Sequence, residues 1–290
     1  RYVGDHILTQ NDIRAGGRFS DVIAYGGWPM DDHHPGGMRY PGEPTVFHPA
    51  PSPYGIPYRC IYSRNVVNLM FAGRNISTTH SGLSSTRVMA TCAILGQAVG
   101  TAASIAIEHS LTPRGIYEQR IDELQQMLLD DDCYLPGQIR EIPELTAKAV
   151  LTASEGNPEV LRNGIDRTLN DDLNYWEGKI GSWIEYGFPQ LERISALRFV
   201  FDSDLNRKGL NMPCNYPLEP ELRMVPKSML RAFRVEALTE QGDWQCIQRV
   251  ENNYQRLVSL EVDIKATAIR FIPEETWGLE QVRLFAWDIR

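Results

Sequence analysis

The chain has 290 residues, of which 42% are hydrophobic and 23% are charged, and its formal net charge is -8. This length allows two domains, and the composition is typical of a folded soluble protein and not of a disordered or fibrous one. The acidic balance, with no block of Lys or Arg, argues against a nucleic-acid partner because phosphate binding requires a basic surface.

The cysteines are scattered without C-x-x-C spacing, which disfavours a zinc cluster or a disulfide framework and predicts mostly free thiols. They are Cys60, Cys92, Cys133, Cys214 and Cys246. No metal site is predicted. The sequence begins at Arg1 in strand-like residues without an initiator Met or a signal peptide, so we expect it to be cut from a longer protein. The compartment is left open.

Residues 1–58 are rich in Gly, Pro, His and aromatic residues, which predicts a loop-rich surface or pocket lining. An apolar strand is predicted over residues 66–72, ending at Gly73, and a long helix of small residues is predicted to begin near Ser85. A second helix is predicted over residues 114–130, before a break at Pro136 and Gly137.

Residues 88–107 carry no formal charge and are long enough to span a bilayer. The run is dominated by Ala, Gly, Thr and Ser, which insert poorly into lipid, so we predict a helix buried inside a protein and no membrane span. Gly96, Ala98, Gly100 and Ala102 are expected to keep this helix thin for close packing.

Beyond about residue 150 the hydrophobic pattern changes to period two, as at Leu197, Phe199 and Phe201. This alternation predicts an all-β unit, most simply a sandwich. The predicted fold class is therefore α+β with more than one domain.

The most informative stretch reads NLMFAGRNISTTH over residues 68–80 and SSTRVMATCAILGQAVGTAA over residues 84–103. A glycine at the end of a strand lets backbone approach a ligand, and a following helix offers unpaired N–H groups to a phosphate or a flavin carbonyl. Alone, Gly73 is more simply an ordinary turn and the small-residue helix is more simply tight core packing.

These residues resemble the FAD-dependent oxidoreductase family, whose flavin domain ends with a strand reading NLLVAGRNIS-x-TH and a helix reading RVMGTCAxxGQAAGTAA. Residues 4–9, 26–35 and 56–59 also resemble that family, in the same order. The resemblance covers much of residues 1–137 and implies part of a Rossmann-type flavoprotein domain. It implies that Gly73, Arg74 and Asn75 contact the ribityl and phosphate part of FAD, and that Arg87, Val88 and Met89 lie beside the flavin ring. Ser77 is a further implied cofactor-binding residue.

Candidate catalytic residues are His33, His34 and His80, because imidazole exchanges protons near neutral pH, and Arg59, whose guanidinium can orient a substrate. The simpler roles are loop hydrogen bonds for each His and a salt bridge for Arg59 or Arg87. Trp28 is either a stacking surface or a loop anchor.

A complete enzyme of this kind needs a G-x-G-x-x-G turn for the FAD pyrophosphate, and the 290 residues contain none. We therefore expect the isolated chain to bind FAD weakly or not at all and to be incomplete as an enzyme. The missing N-terminal FAD-binding portion of the same protein is the expected partner.

Residues 151–290 resemble the discoidin or galactose-binding-like sandwich, with a jelly-roll-like double sheet. The resemblance rests on residues 151–155, 163–166, 183–186 and 269–273 and on tryptophans at 176, 244 and 277. It implies a sugar or calcium site in some members. Residues 170–172 offer oxygen ligands, although a solvated acidic turn is the simpler interpretation. Packing on the flavin domain is favoured over sugar binding for this unit.

The predicted domains are residues 1–137, divided at 58 and 110 into substrate-side, FAD-contacting and exit segments, then a linker at 138–150 and the sandwich at 151–290. The predicted function is hydride transfer between flavin and an unidentified substrate, for which a carbohydrate-related molecule is one candidate. The rival hypothesis is a non-catalytic carbohydrate-binding or polysaccharide-processing accessory protein.

Overall fold

The computed structural model describes residues 2–205, 225–239 and 242–290, so Arg1 and Cys214 lie outside the described residues. The chain divides into two compact units, Arg1–Arg140 and Glu141–Arg290. A short helix, Glu144–Lys148, lies within the segment predicted as a linker. The domain boundaries proposed from the sequence stay a prediction.

The first unit contains two small antiparallel sheets, each of two strands. Strand β1 (Val22–Gly26) pairs with β4 (Tyr54–Pro57), and β2 (Met30–His33) pairs with β3 (Thr45–His48). Gly26 lets the Tyr54 ring lie against the backbone, since a Cβ there would come within 2.3 Å of the ring. Tyr54 is fully buried, so this contact fixes the β1–β4 pair in the core.

Five helices complete the first unit: α1 (Gln10–Arg14), α2 (His80–Thr86), α3 (Met89–Glu108), α4 (Pro113–Gln119) and α5 (Ile121–Asp130). The prediction of one long helix from Ser85 is wrong, because Ser85 belongs to α2 and the chain is extended at Val88. The predicted helix at residues 114–130 is likewise two helices, separated where Arg120 adopts φ -140° and ψ 20°.

The strand predicted at residues 66–72 is also wrong. Only a single bridge, between Tyr62 and Met70, pairs this segment among the described residues. A strand requires a neighbour along its length, and the local apolar run cannot supply one. Val66, Val67 and Leu69 are consequently exposed.

Helix α3 is less buried than the sequence predicts. Of its most apolar 18-residue window, 28% is buried within the described residues. Ala98 and Ala102 pack into the core, but a Cβ on Gly96 or Gly100 would meet no atom within 4 Å. It is the one described helix whose length and composition would allow it to cross a membrane, a property it shares with helices of protein cores.

Among the residues that the structure describes, the second unit begins with α6 (Glu144–Lys148) and continues with seven strands in one hydrogen-bonded network. They are β5 (Val150–Ala153), β6 (Trp176–Lys179), β7 (Ile184–Phe201), β8 (Leu230–Leu238), β9 (Trp244–Val250), β10 (Leu257–Thr276) and β11 (Gln281–Ile289). All of these strand pairs are antiparallel.

Strands β7 and β10 are long and pair along almost their whole length, with register shifts near the middle. One end of this pair is flanked by β11 and β6, and the other end by β5, β8 and β9. The two ends enclose one aromatic core in which the centroid of the Phe199 ring lies 5.2–5.8 Å from those of four other rings. The predicted α+β fold with an antiparallel β-sandwich is confirmed.

Candidate functional site

The turn at residues 73–75 lies directly against the first turn of α3. Gly73 is buried with φ +107°, and a Cβ on it would lie 3.7 Å from Cys92 Cβ. Burial raises the pKa of the Cys92 thiol, and the charge of Arg74 partly offsets that rise. The two elements that the FAD resemblance singles out are therefore neighbours.

The start of α3 has no side-chain cap. Val88 occupies the N-cap position, where it cannot accept a hydrogen bond, and Met89 is 89% exposed. The first N–H groups of a helix have no partner within it, so they are available to an acceptor. Asn75, on the facing turn, is also exposed.

A cavity of ≈ 170 Å³ lies beside this junction, and Arg74, Leu83, Ser84 and Arg87 contribute to its lining. Ligand pockets are usually about 300 to 1,000 Å³. This cavity is therefore smaller than a site that encloses a whole ligand, and the predicted FAD contacts stay a prediction.

Strand β2 supplies the opposite wall. Asp31 and His33 lie two positions apart, on the same side of the strand, and both contact Arg87. Arg87 Nη2 donates to Asp31 Oδ1 at 2.5 Å and to His33 Nε2 at 2.8 Å. Because arginine only donates, His33 Nε2 must accept, and its Nδ1–H donates to Thr45 Oγ1 at 2.7 Å. Both ring nitrogens of His33 are engaged.

Asp32, between these residues, faces His80 at the start of α2. His80 Nε2 lies 2.9 Å from Asp32 Oδ1, an ion-pair distance, and the His80 side chain is 61% exposed. Asp32 Oδ1 is shielded from solvent but accepts no well-aligned hydrogen bond among the described residues. A small rotation of the imidazole ring would align the hydrogen bond between the two groups.

A hydrogen-bond chain holds this wall to the core. Ser85 Oγ donates to the Trp28 carbonyl at 2.6 Å, so Tyr54 Oη donates to Ser85 Oγ at 2.5 Å. Burial raises the pKa of Tyr54 to about 12, and the hydroxyl keeps its proton. Trp28 Nε1 reaches Asp31 Oδ2 at 3.5 Å, so Trp28 anchors its loop within this site.

His34 follows on the loop after β2, where its ring stacks on Tyr40 at a centroid distance of 3.7 Å. The loop thereby brings a third predicted histidine to the same region as His33 and His80.

Two predicted residues lie away from this region. Arg59 forms a two-pronged pair with the buried Asp21, at 2.9 Å for both contacts, and its guanidinium lies over the Tyr117 ring. Ser77 is buried where its backbone bonds to Leu8 and Cys60. Their predicted roles stay predictions, and their contacts are those of structural residues.

Asp31 and Asp32 were missed as individual candidates, although residues 26–35 carried part of the resemblance. Alternation along a short strand places neighbouring carboxylates on opposite faces, and that pattern was the available signal. Tyr40 and Glu43 were missed because they reach the region through a loop, whose path no local pattern specifies.

No cluster of three or more His, Cys, Asp or Glu side chains suited to a metal occurs in the described ranges. The acidic turn at residues 170–172 is closed by reciprocal backbone bonds of 3.0 Å between Leu169 and Asp172. Four cysteines, Cys60, Cys92, Cys133 and Cys246, form no disulfide, and Cys214 lies outside the described residues.

Four of the five tryptophans of the sandwich divide into two groups. Trp176 and Trp287 are fully buried and belong to the core. Trp183 and Trp244 are half-buried on the surface, where they flank the Arg270 guanidinium at 4.7 and 4.0 Å from the ring centroids.

Comparison with known proteins matches the two units differently. The family model described as "FAD dependent oxidoreductase" matches residues 1–128. A comparison with curated protein sequences found no match.

Solved structures resemble about half of the chain. The family 32 carbohydrate-binding module of EndoD from Streptococcus pneumoniae is 11% identical, with a TM-score of 0.38, over 49% of this chain and 97% of that module. A fucose binding module of the same organism is also 11% identical, with a TM-score of 0.38, over 51% of this chain and 98% of that module. The family 32 module of NanJ from Clostridium perfringens, in complex with galactose, is 9% identical, with a TM-score of 0.34, over 50% of this chain and 94% of that module.

The sandwich is defined by its own strand pairing and core. The resemblance of the first unit is confirmed: residues 1–128 match the FAD dependent oxidoreductase family.

Proposed function

We propose that the first unit is the substrate-side part of an FAD-dependent oxidoreductase, and that the turn at residues 73–75 and the start of α3 contact the flavin nucleotide. The observation that carries this proposal is that the two elements are neighbours: a Cβ placed on Gly73 would lie 3.7 Å from Cys92 Cβ. A cavity lies beside them. FAD, when bound, supplies the hydride acceptor.

The chain's own groups suit that cofactor. The uncapped N–H groups at Met89 and the next residues favour a polarised carbonyl or phosphate oxygen. Arg74 is exposed beside them and offers a positive charge to a phosphate. Arg87 is held in place by Asp31, so its orientation does not depend on the ligand.

Among the predicted histidines, His80 is the best candidate for accepting a proton from a substrate hydroxyl. His33 already uses both nitrogens, one with Arg87 and one with Thr45. The Asp32 carboxylate, 2.9 Å from His80, would stabilise the imidazolium that forms.

The dinucleotide-binding portion of the same protein would complete the site. Two uncovered surfaces support this arrangement: the face of α3 at Gly96 and Gly100, where a Cβ would meet no atom within 4 Å, and the exposed apolar segment of Val66, Val67 and Leu69. Exposed contiguous apolar surface is typical of an interaction site.

The test is flavin content. The full-length protein is expected to retain stoichiometric FAD after purification, whereas residues 1–290 alone are expected to bind it weakly or not at all. A full-length protein that neither retains nor binds FAD would overturn the proposal.

Carbohydrate binding by the sandwich is the second candidate, favoured by the half-buried Trp183 and Trp244 on its surface. Indole faces stack on sugar rings, although these two already stack on Arg270. Calorimetry with a glycan panel on the chain and on a Trp183→Ala, Trp244→Ala variant decides this: loss of binding in the variant supports it, and no binding by either protein contradicts it.

A further inference from the structure

A second cavity, of ≈ 470 Å³, adjoins the one beside Gly73, and the two share Asp32, His33 and His80. The larger cavity lies between strand β2, the loop after it and the start of α2. Its volume falls within the range of small-molecule sites. The shared residues form the boundary between the proposed flavin side and this second compartment.

One wall of the larger cavity is aromatic. The His34 and Tyr40 rings stack at 3.7 Å with an interplanar angle of 16°, and Val46 adds an apolar surface. The Gly36 N–H donates to His34 Nδ1 at 3.0 Å, so the neutral His34 ring carries its proton on Nε2 and offers a donor. A flat ring with adjacent donors suits the C–H face and hydroxyls of a sugar.

The remaining polar groups are hydrogen-bond acceptors. Asp32 and Glu43 line the cavity, and Asp32 Oδ1 lies 2.9 Å from His80 Nε2. Each carboxylate has several acceptor positions, so both side chains can accept hydrogen bonds from ligand hydroxyls.

Charge separates the two cavities. Among the described lining residues, arginines occur in the smaller cavity, as Arg74 and Arg87, and no Lys or Arg lines the larger one. Two carboxylates without an opposing Arg or Lys disfavour an anion. The smaller cavity therefore suits the phosphate-bearing cofactor and the larger one an uncharged ligand.

We propose that the larger cavity binds a neutral polyhydroxylated molecule, a monosaccharide or a polyol, and discriminates against sugar acids. The ligand ring stacks on an outer face of the His34–Tyr40 pair, and its hydroxyl groups donate to Asp32 and Glu43. As a substrate compartment this cavity rests on the proposed flavin function, but as a binding site it does not require flavin.

The test uses NMR titration of residues 1–290 with D-glucose, sorbitol and D-gluconate. Glucose or sorbitol is expected to shift signals of His34, Tyr40 and His80, and gluconate to bind at least about tenfold more weakly. Tyr40→Ala is expected to lower the affinity for the neutral ligand about fivefold to tenfold. The matched control Tyr254→Ala removes a 70% exposed tyrosine from the sandwich and should change nothing.

Equal binding of gluconate, shifts confined to residues 141–290, or no shifts with either neutral probe would each overturn this inference. Asp32→Asn adds a second check because it keeps the size of the side chain. It should weaken the binding of glucose and reduce the difference in affinity between glucose and gluconate. Flavin content of the full-length protein is measured separately. Sugar binding without flavin would leave this site standing and refute the oxidoreductase, and flavin without sugar binding would do the reverse.

Discussion

Asp31 is a carboxylate with 12% of its side chain exposed, and it depends on one strong partner, Arg87. Arg87→Met removes the charge but keeps an unbranched side chain, leaving Asp31 with the 3.5 Å contact from Trp28 and with His33 Nε2 at 3.9 Å. An uncompensated, largely buried carboxylate should lower the free energy of unfolding by about 2 to 3 kcal/mol. Urea denaturation measures this loss.

Two further variants make that result specific. Adding Asp31→Asn to Arg87→Met should recover part of the loss, because the unpaired charge is gone. Arg120→Met breaks an exposed pair with Glu123 and should cost less than about 1 kcal/mol. Similar costs for Arg87→Met and Arg120→Met would contradict the role assigned to Asp31.

Asp12 provides a pH-dependent test at the start of α1. Its carboxylate is partly buried, which raises its pKa, but bonds from Thr9 N–H, Thr9 Oγ1 and His6 outweigh burial and hold the pKa below the usual 3.8. A lowered pKa means that the stabilisation is present above pH 3.8 and is lost as the pH falls through the folded-state value. Asp12→Ala should therefore cost about 1 kcal/mol at pH 7 and progressively less in acid.

Thermal unfolding of wild type and variant across pH 2 to 7 checks this dependence. Asp122→Ala, in the first turn of α5 where no side chain caps the helix, is the matched control. A cost for Asp12→Ala that stays constant with pH would show that the capping carboxylate contributes no charge-dependent stability.

At the scale of elements, two glycines should respond oppositely to the same substitution. Gly73 has φ +107°, so Gly73→Ala strains the backbone and should cost about 1 to 2 kcal/mol even though the space for a methyl exists. Gly100 lies inside α3 with nothing within 4 Å of its Cβ position, so Gly100→Ala should stabilise residues 1–290 by about 0.5 to 1 kcal/mol.

Chemical denaturation of both variants measures these effects. In the full-length protein, the proposed dinucleotide-binding portion covers the outer face of α3, so the gain from Gly100→Ala should disappear there. A gain that persists unchanged in the full-length protein would contradict the proposed covering of this face.

The elements also show what the sequence could predict. Alternation at Leu197, Phe199 and Phe201 predicted β7 correctly. The two-residue spacing of buried side chains along a strand is visible in the local sequence alone. The break at Arg87 was not predictable from pattern, since no Gly or Pro marks it and the Arg87 side chain is held by contacts with β2. The strand prediction for the apolar run at 66–72 was wrong for a related reason, because strand pairing depends on a neighbouring strand that the run itself does not specify.

The candidate site divides in the same way. The neighbouring positions of Gly73 and the start of α3 followed from a motif that is contiguous in sequence. The pairing of Asp31 with Arg87 and of Asp32 with His80 joins residues about 50 positions apart, so it depended on how the β2–β3 hairpin packs on α2.

At the scale of the whole molecule, each unit has its own hydrophobic core. Residues 141–290 should therefore fold alone and unfold in one cooperative transition. Phe271→Ala, in the centre of the aromatic core, should cost this unit about 3 to 5 kcal/mol, and Tyr254→Ala on its surface less than about 0.5 kcal/mol. A non-cooperative transition for the isolated unit would show that its core is incomplete.

The flavin proposal is tested most directly by the reactivity of Cys92, the thiol in the first turn of α3 that faces Gly73. Alkylation of the full-length protein, followed by mass spectrometry, compares Cys92 with the exposed Cys246 before and after flavin is removed. We predict that bound FAD slows alkylation of Cys92 at least about tenfold and leaves Cys246 unchanged. A Cys92 rate that is the same with and without bound FAD would contradict the placement of the flavin at this turn.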